Sequence, residues 1–318
     1  MTVTLFTVFF FLLVIGAPIV FAIGAGTALS LMMGGIPLAI LPQKVFSGLA
    51  HFPYLAVPLF VLAGMLMETG GISRRIVELS NAMVGHIRGG MGMVVMVATI
   101  FFSDISGSSA ADTAAIGSVM IPPMKKRGYN PSFAAALVTS AGGMGVQIPP
   151  CLTMVVFGSL TNTSVGALFL AGFVPGIGMG LILMLLTYII ARKKNFPREK
   201  RATLKELLVA VKRSFLSLFM GVIILGGIIL GIFTATEAAA VAVMYGFFLS
   251  VIFYREIKLS QIPEILWKSA VISGVVMLVV GISYDFGWVI DKEQITMKLA
   301  NFMINIPGVK LVFLLAIN

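Results

Sequence analysis

Charged side chains are scarce in this chain of 318 residues. Only 11% of the residues are Asp, Glu, Lys or Arg, whereas 59% are hydrophobic, and the mean hydropathy is +1.07. A soluble domain of this length needs far more charged surface, so the composition excludes that class. It indicates an integral membrane protein instead.

Residues that build crosslinks, metal centres and catalytic sites are also few. Cys151 is the only cysteine, which excludes an intramolecular disulfide, and the two histidines, His51 and His86, are isolated from each other. The chain contains no nucleophile elbow, no Walker loop and no HExxH motif. We therefore expect that the protein is not an enzyme.

The chain is instead rich in long uncharged runs. They cover Met1–Gln43, Tyr129–Ala191, Ser214–Thr236 and Ala238–Tyr254. A helix needs about 20 apolar residues to cross a bilayer, so each run has room for at least one spanning helix. The pattern predicts an all-α polytopic membrane protein, with the lipid bilayer as its first partner. We interpret Met1–Gly34 as mature membrane helix, broken at Gly16-Ala17-Pro18, rather than as a signal peptide.

The net charge of +10 comes from basic residues in the loops between apolar runs. Nine of the 22 Lys and Arg residues lie within Arg192–Arg213. Basic loops mark the cytoplasmic side of a membrane protein, and this bias explains the charge better than a nucleic-acid footprint. We predict that Arg192–Arg213 is cytoplasmic, and we expect no nucleic-acid partner.

One polar segment, Ser103–Thr113, interrupts two apolar arms, Gly90–Phe102 and Ala114–Met124. As a helix, each arm would reach only about 20 Å, short of the roughly 30 Å hydrocarbon core. Basic residues flank both arms, Arg88 before the first and Lys125–Arg127 after the second, so both ends lie on the cytoplasmic side. The segment predicts a re-entrant helical hairpin. Irregular backbone at membrane depth is tolerated where it lines a cavity, so the tip is expected to face a transport pathway.

A second interruption follows at Gly142–Pro150, which holds three glycines and two prolines. No ordinary helix continues through such a stretch. We predict a broken helix that enters from Pro131 and resumes at Leu152. Its unwound segment would free backbone carbonyls near Gly145 and Ile148.

The two interruptions together are suited to a hard cation, which needs several oxygen ligands. The hairpin supplies the hydroxyls of Ser106, Ser108 and Ser109, and the broken helix supplies carbonyls. The alternative is that glycine and serine merely allow close helix packing. Asp112 also has two interpretations: a carboxylate in a substrate pathway, or a helix cap for amides at the start of the returning arm.

The two halves of the chain share a weak internal sequence similarity. Gly16-Ala17-Pro18 and Thr234-Ala235-Thr236-Glu237-Ala238 each precede a stretch that is rich in small residues. This similarity predicts an inverted repeat whose second copy is incomplete. The predicted organisation has four parts: N-terminal scaffold helices with an amphipathic arm (1–89), a first transport unit of hairpin and broken helix (90–165), a return helix with the basic cytoplasmic segment (166–213), and scaffold helices with the start of the second repeat (214–318).

Three motifs carry a family resemblance: Ser106–Gly117, Ile121–Met124 and Gly142–Pro150. With them the chain resembles the large membrane subunit of tripartite ATP-independent periplasmic (TRAP) transporters, which are elevator-type carriers of the ion-transporter superfamily. The resemblance implies a bacterial inner-membrane protein that imports an organic acid, a C4-dicarboxylate or a sugar acid. It implies sodium as the coupling ion and no other cofactor. The implied partners are a small four-helix membrane subunit and a periplasmic substrate-binding protein.

The resemblance also implies roles for individual residues. Sodium-binding residues would be Ser106, Ser108, Gly145, Ile148 and Pro150, and the substrate pathway would include Ser109, Asp112, Thr113, Gly142 and Gly143. Family members carry a second hairpin and a second broken helix, so we expect this chain to be a partial sequence.

Two other functions stay open from the sequence. One is a single-component sodium-coupled carboxylate or citrate carrier of the same superfamily. The other, from a different class, is a membrane scaffold subunit that does not transport.

Overall fold

The computed structural model describes residues 1–194, 196 and 200–304, and of residues 105 and 302–304 the backbone only. Within this described part the secondary structure is helical and no strand occurs. The helices are α1 (Thr2–Val14), α2 (Ile19–Met33), α3 (Ile40–Leu49), α4 (Ala56–Thr69), α5 (Ile72–Val84), α6 (Gly90–Ser106), α7 (Ser109–Lys126), α8 (Pro131–Met144), α9 (Leu152–Thr161), α10 (Val165–Lys193), α11 (Leu204–Ile229), α12 (Ala235–Phe247), α13 (Ile262–Lys292) and α14 (Ile295–Ile304). Short 3₁₀ turns precede α4 and α13, and a π-helical turn at Phe248–Phe253 extends α12.

Five helical segments are long and apolar enough to cross a membrane, counted over the described residues. They are Phe52–Thr69, Val165–Lys193, Leu204–Ile229, Ala235–Phe253 and Leu259–Lys292. Several other apolar helices have 17 residues or fewer, among them α1, α2 and α9, and at 1.5 Å per residue they fall short of a full bilayer core. The all-α polytopic prediction is confirmed, and so is the break between α1 and α2 near Pro18.

The chain forms two compact units, each with its own core. The first contains Met1–His51 and, among the described residues, those from Gly274 onward. In it α1 and α2 pack closely at Gly26, where a Cβ would lie 3.1 Å from the Leu5 carbonyl oxygen. Leu5, Leu31 and Val289 form its buried apolar cluster.

The second unit, Phe52–Ser273, contains both predicted interruptions. Small buried residues let α4 and α12 approach each other: Ala56 and Ala63 on α4, and Ala238, Ala239 and Ala242 on α12. Small side chains are the usual contact between helices in a membrane, because water drives no association there. These helices form a continuous apolar core with the hairpin α6–α7 and with α8.

The hairpin turns far more tightly than its composition indicates. We predicted irregular backbone over Ser103–Thr113, but α6 continues to Ser106 and α7 begins at Ser109. Gly107 ends α6 in the left-handed conformation, with φ of 60°, and its N–H donates to the Ser103 carbonyl at 3.1 Å. Ser108 is extended and caps α7 by accepting from the Ala111 N–H at 3.5 Å. Polar residues here therefore end one helix and start the next, and two residues make the turn.

The broken helix is present, but it unwinds later than predicted. Gly142 and Gly143 lie inside α8, which ends at Met144, and α9 begins at Leu152. The start of α8 follows the sequence prediction, because Pro131 occupies its first turn and the Asn130 side chain accepts from the Ser132 N–H at 2.9 Å. Glycine alone therefore does not end a packed helix, whereas the Pro149-Pro150 pair does.

The predicted amphipathic helix after α4 is α5, which buries Ile72, Ile76 and Leu79. The basic segment Arg192–Arg213 is partly helical. It contains the end of α10 and the start of α11, where Thr203 and Glu206 form a capping box. Residues 195 and 197–199 of this segment lie outside the described residues.

Candidate ion and substrate site

Asp112 is the centre of the candidate site. It lies in the first turn of α7 with none of its surface exposed. Its two carboxylate oxygens accept hydrogen bonds from the hydroxyls of Ser103 and Ser106, which lie one turn apart at the end of α6. The carboxylate therefore ties the two arms of the hairpin together. The interpretation of Asp112 as a helix cap is wrong, since Ser108 caps α7.

Ser106 is held on several sides. Besides donating to Asp112, its Oγ accepts from the Ser108 N–H at 3.2 Å. Gly64 of α4 faces its backbone, and a Cβ at Gly64 would lie 3.6 Å from Ser106 Cα. This serine is thus buried, oriented and in contact with a neighbouring helix.

The broken helix closes directly over the carboxylate. A Cβ at Gly145 would overlap Asp112 Oδ2 and lie 3.0 Å from Ser103 Oγ. No larger residue fits between α8 and the hairpin at this point. The sequence placed Gly145 in a helix break and Asp112 in a hairpin, and the structure brings the two together.

A second contact joins the hairpin tip to the unwound segment. The Leu152 N–H donates to the Gly107 carbonyl at 3.4 Å, and a Cβ at Gly107 would lie 2.6 Å from the Pro150 carbonyl oxygen. Pro150 and Ile148 are both buried, and the Ile148 side chain packs on Gly176 of α10. These contacts place the carbonyl of Pro150 beside the turn of the hairpin.

The predicted pathway residues lie on the adjoining faces of α7 and α8. The Thr113 hydroxyl donates to the Ser109 carbonyl at 2.7 Å, and it fills the space where a Cβ of Gly142 would stand. Gly143 differs, because no atom lies within 4 Å of its Cβ position. Ser109, Thr113 and Gly142 therefore contact one another, whereas Gly143 faces open space.

Sequence reasoning missed Ser103 as a member of the site. Ser103 is buried and is one of the two donors to Asp112. The available signal was its spacing, three residues before Ser106, which places both hydroxyls on one face of α6.

Four helix ends meet at the hairpin that carries this carboxylate. The amino ends of α7 and α9 and the carboxyl ends of α6 and α8 all lie within the contacts described above. An amino end carries a partial positive charge and a carboxyl end a partial negative charge. The site can therefore stabilise a cation and an anion at neighbouring positions.

The donor set fits a hard cation rather than a transition metal. No cluster of three or more His, Cys, Asp or Glu residues occurs in the described ranges. The site offers instead hydroxyls, one carboxylate and carbonyls of unwound backbone, and the Gln147 Oε1 atom in the break is buried without a hydrogen-bond partner among the described residues. Oxygen ligands of this kind suit ions such as Na⁺.

Spanning helices packed around a buried, oxygen-rich hairpin define a polytopic membrane transport protein. The family model of the tripartite ATP-independent periplasmic transporter, DctM component, matches residues 6–318. The chain therefore belongs to this family of transporter permeases, as its motifs predicted. It is a multi-pass protein of the bacterial inner membrane and not an enzyme.

Several relatives are similar over most of the chain. It is 42% identical over 275 residues to the C4-dicarboxylate TRAP transporter large permease protein DctM of Pseudomonas aeruginosa, covering 86% of this chain and 64% of the relative. It is 38% identical over 308 residues to the sialic acid TRAP transporter large permease protein SiaM of Vibrio cholerae, covering 96% and 72%. It is 38% identical over 316 residues to the isethionate TRAP transporter permease protein DctMQ of Oleidesulfovibrio alaskensis, covering 99% and 50%. The chain thus spans less than two thirds of the DctM protein of P. aeruginosa.

Proposed function

We propose that this chain is the large permease subunit of a sodium-coupled TRAP transporter that imports an organic acid. The observation that carries the proposal is the contact between the hairpin and the broken helix around buried Asp112. A buried carboxylate inside a membrane is costly and marks a functional position by default.

Sodium is proposed to bind where the hairpin tip meets the unwound segment. Ser106, Ser108, Gly145, Ile148 and Pro150 are the proposed sodium-binding residues, and we add Ser103. A hydroxyl that donates its proton to Asp112 can still accept, and Ser106 keeps one lone pair for a cation besides the one that accepts from the Ser108 N–H, so Ser103 and Ser106 are both oriented as ligands. The carboxylate behind them would offset the charge of the ion.

The substrate is proposed to be a carboxylate-bearing acid that binds beside Ser109, Asp112, Thr113, Gly142 and Gly143. The amino ends of α7 and α9 would attract its negative charge, and bound sodium would offset the charge of Asp112. Relatives named for C4-dicarboxylate and sialic acid support the class of C4-dicarboxylates or sugar acids. Coupling follows, because the anion binds well only after the cation has arrived.

Movement is proposed to be of the elevator type, within an inverted-repeat architecture. The hairpin and broken helix, residues 90–165, would move as one unit. One exposed face of α8 carries only small side chains: Ser132, Ala135, Ala136, Thr139, Ser140 and Gly143. A face without large side chains can slide over a neighbour, which supports this mechanism.

The proposed partners are a small four-helix membrane subunit and a periplasmic substrate-binding protein. The relative named DctMQ is about twice as long as the region that matches this chain, which leaves room for a further membrane subunit. The binding protein would deliver the acid to the outer side.

Reconstitution tests the whole proposal. The native permease, its small subunit and its binding protein would be placed in vesicles, and uptake of radiolabelled C4-dicarboxylates and sialic acid would be measured with and without a sodium gradient. We expect uptake of an acid only with inward-directed sodium. Equal uptake with a potassium gradient would contradict sodium coupling.

A further inference from the structure

A cleft at the basic side of the second unit has no role in the proposed transport cycle. It has a volume of about 650 Å³ and lies between α5, the first half of α11 and the segment that follows α12. Four cationic side chains line it: Arg74, Arg75, Lys212 and Arg213. We propose that this cleft binds the phosphate group of an anionic phospholipid from the cytoplasmic leaflet.

The charges in the cleft leave two cations available. Arg75 pairs with Glu256 at 3.1 Å, and Arg74 pairs with Glu78 at 3.6 Å. Over the described ranges, no carboxylate lies within ion-pair distance of Lys212 or Arg213. Adjacent cations that share a cavity repel each other, and a phosphate group removes that repulsion.

The wall of the cleft is rigid around Arg75. Its guanidinium lies over the Tyr254 ring at 3.7 Å and donates to the Gly71 carbonyl at 3.0 Å. The Ser214 hydroxyl donates to the Arg75 carbonyl at 2.8 Å and so fixes α11 against α5. A site of fixed shape loses little entropy when a ligand binds.

An adjoining apolar surface favours a lipid over a soluble phosphate. Charged residues of α11 end at Arg213, and the same helix is uncharged from Ser214 to its end. Phe215 is 56% exposed, Phe219 stacks on it, and Phe253, which lines the cleft, is 66% exposed. A headgroup at Lys212 and Arg213 would therefore place its acyl chains along exposed aromatic side chains. Basic pockets beside spanning helices on the cytoplasmic side bind anionic headgroups in this way.

Native mass spectrometry of the purified, delipidated protein tests the assignment. The variant Lys212→Gln/Arg213→Gln removes the two free cations and keeps the backbone contacts of α11. The control Lys125→Gln/Lys126→Gln removes the same charge from the end of α7, outside the cleft. Each protein would be titrated with phosphatidylglycerol, with phosphatidylcholine and with inorganic phosphate.

We expect the wild-type protein and the control to retain phosphatidylglycerol over phosphatidylcholine. The cleft variant should bind phosphatidylglycerol at least about tenfold more weakly, because each Lys or Arg near an anionic headgroup strengthens binding roughly fivefold. Its unfolding midpoint without lipid should match that of the control, which separates lost binding from lost folding. Equal affinity of the two variants, or equal retention of both lipids, would overturn the proposal. Binding of inorganic phosphate that equals that of the lipid would assign the cleft to a soluble ligand instead.

Discussion

Substitution of Gly145 by Ala perturbs the candidate site at the contact between the broken helix and Asp112. The added methyl group would overlap Asp112 Oδ2, and it would lie 3.0 Å from Ser103 Oγ and 3.1 Å from the Gly142 carbonyl oxygen. None of these atoms can move aside easily. The Asp112 and Ser103 atoms are hydrogen-bonded to each other, and the Gly142 oxygen belongs to the backbone. The broken helix must therefore move away from the hairpin.

The size of the effect follows from the packing. Insertion of a methyl group into a well-packed interior costs about 1–3 kcal/mol. A shift of α8 would also separate Gly145 from Asp112 and Ser103, so sodium affinity should fall together with stability. We expect Gly145→Ala to lose about 1–3 kcal/mol of stability and most of its response to sodium.

The assay is thermal unfolding in detergent at increasing sodium concentration, with choline as the replacement ion. A ligand that binds only the folded state raises the unfolding midpoint in proportion to the logarithm of its concentration. Gly178→Ala is the matched control, since Gly178 lies in spanning helix α10 and no atom lies within 4 Å of its Cβ position. If Gly145→Ala and Gly178→Ala respond to sodium like the wild type, the proposed contact does not form the ion site.

Three further predictions concern the site and the topology. Ser106→Ala combined with Ser108→Ala should weaken sodium activation of uptake and leave membrane insertion intact, whereas unchanged activation would remove both hydroxyls from the ion site. Asp112→Asn keeps the shape but removes the charge, so sodium-dependent stabilisation should fall about tenfold or more in apparent affinity; an unchanged sodium titration would show that the carboxylate does not compensate the ion. A cysteine at Lys200, in a background where Cys151 is replaced by Ser, should be labelled in intact cells only by a membrane-permeant reagent, and rapid labelling by an impermeant one would reverse the topology.

The helical class and the positions of the two interruptions could be predicted from the sequence because each depends on local chemistry. Long uncharged runs require spanning helices, and the Pro149-Pro150 pair prevents helix continuation whatever surrounds it. The turn of the hairpin was predicted in the correct place but too long. Serine and aspartate disfavour a helix interior and favour its first turn, and the sequence alone does not say which of the two positions each residue occupies.

The assembly of the site could be predicted only in part. Ser106 and Gly145 were expected to serve the same ion from separate motifs, which is the arrangement that the contacts allow. Spacing places Ser103 on the same face of α6 as Ser106, but its role also depends on Asp112 being turned back toward α6 across the hairpin turn, and no spacing rule gives that orientation. Likewise, the sequence does not distinguish Gly142 from Gly143. In the structure Gly142 packs against Thr113, and Gly143 faces open space.

The hairpin and the proposed lipid cleft are connected through one helix. The α5 helix is fixed to α11 at the cleft by the bond between Ser214 and Arg75, and it leads directly into α6, whose far end carries Ser103 and Ser106. A phospholipid that neutralises Lys212 and Arg213 would strengthen this contact between α5 and α11 without touching the ion site. Anionic lipid should therefore raise the stability of the fold and leave the sodium affinity unchanged. A sodium affinity that depends on lipid would show that the contact between α5 and α11 moves during transport.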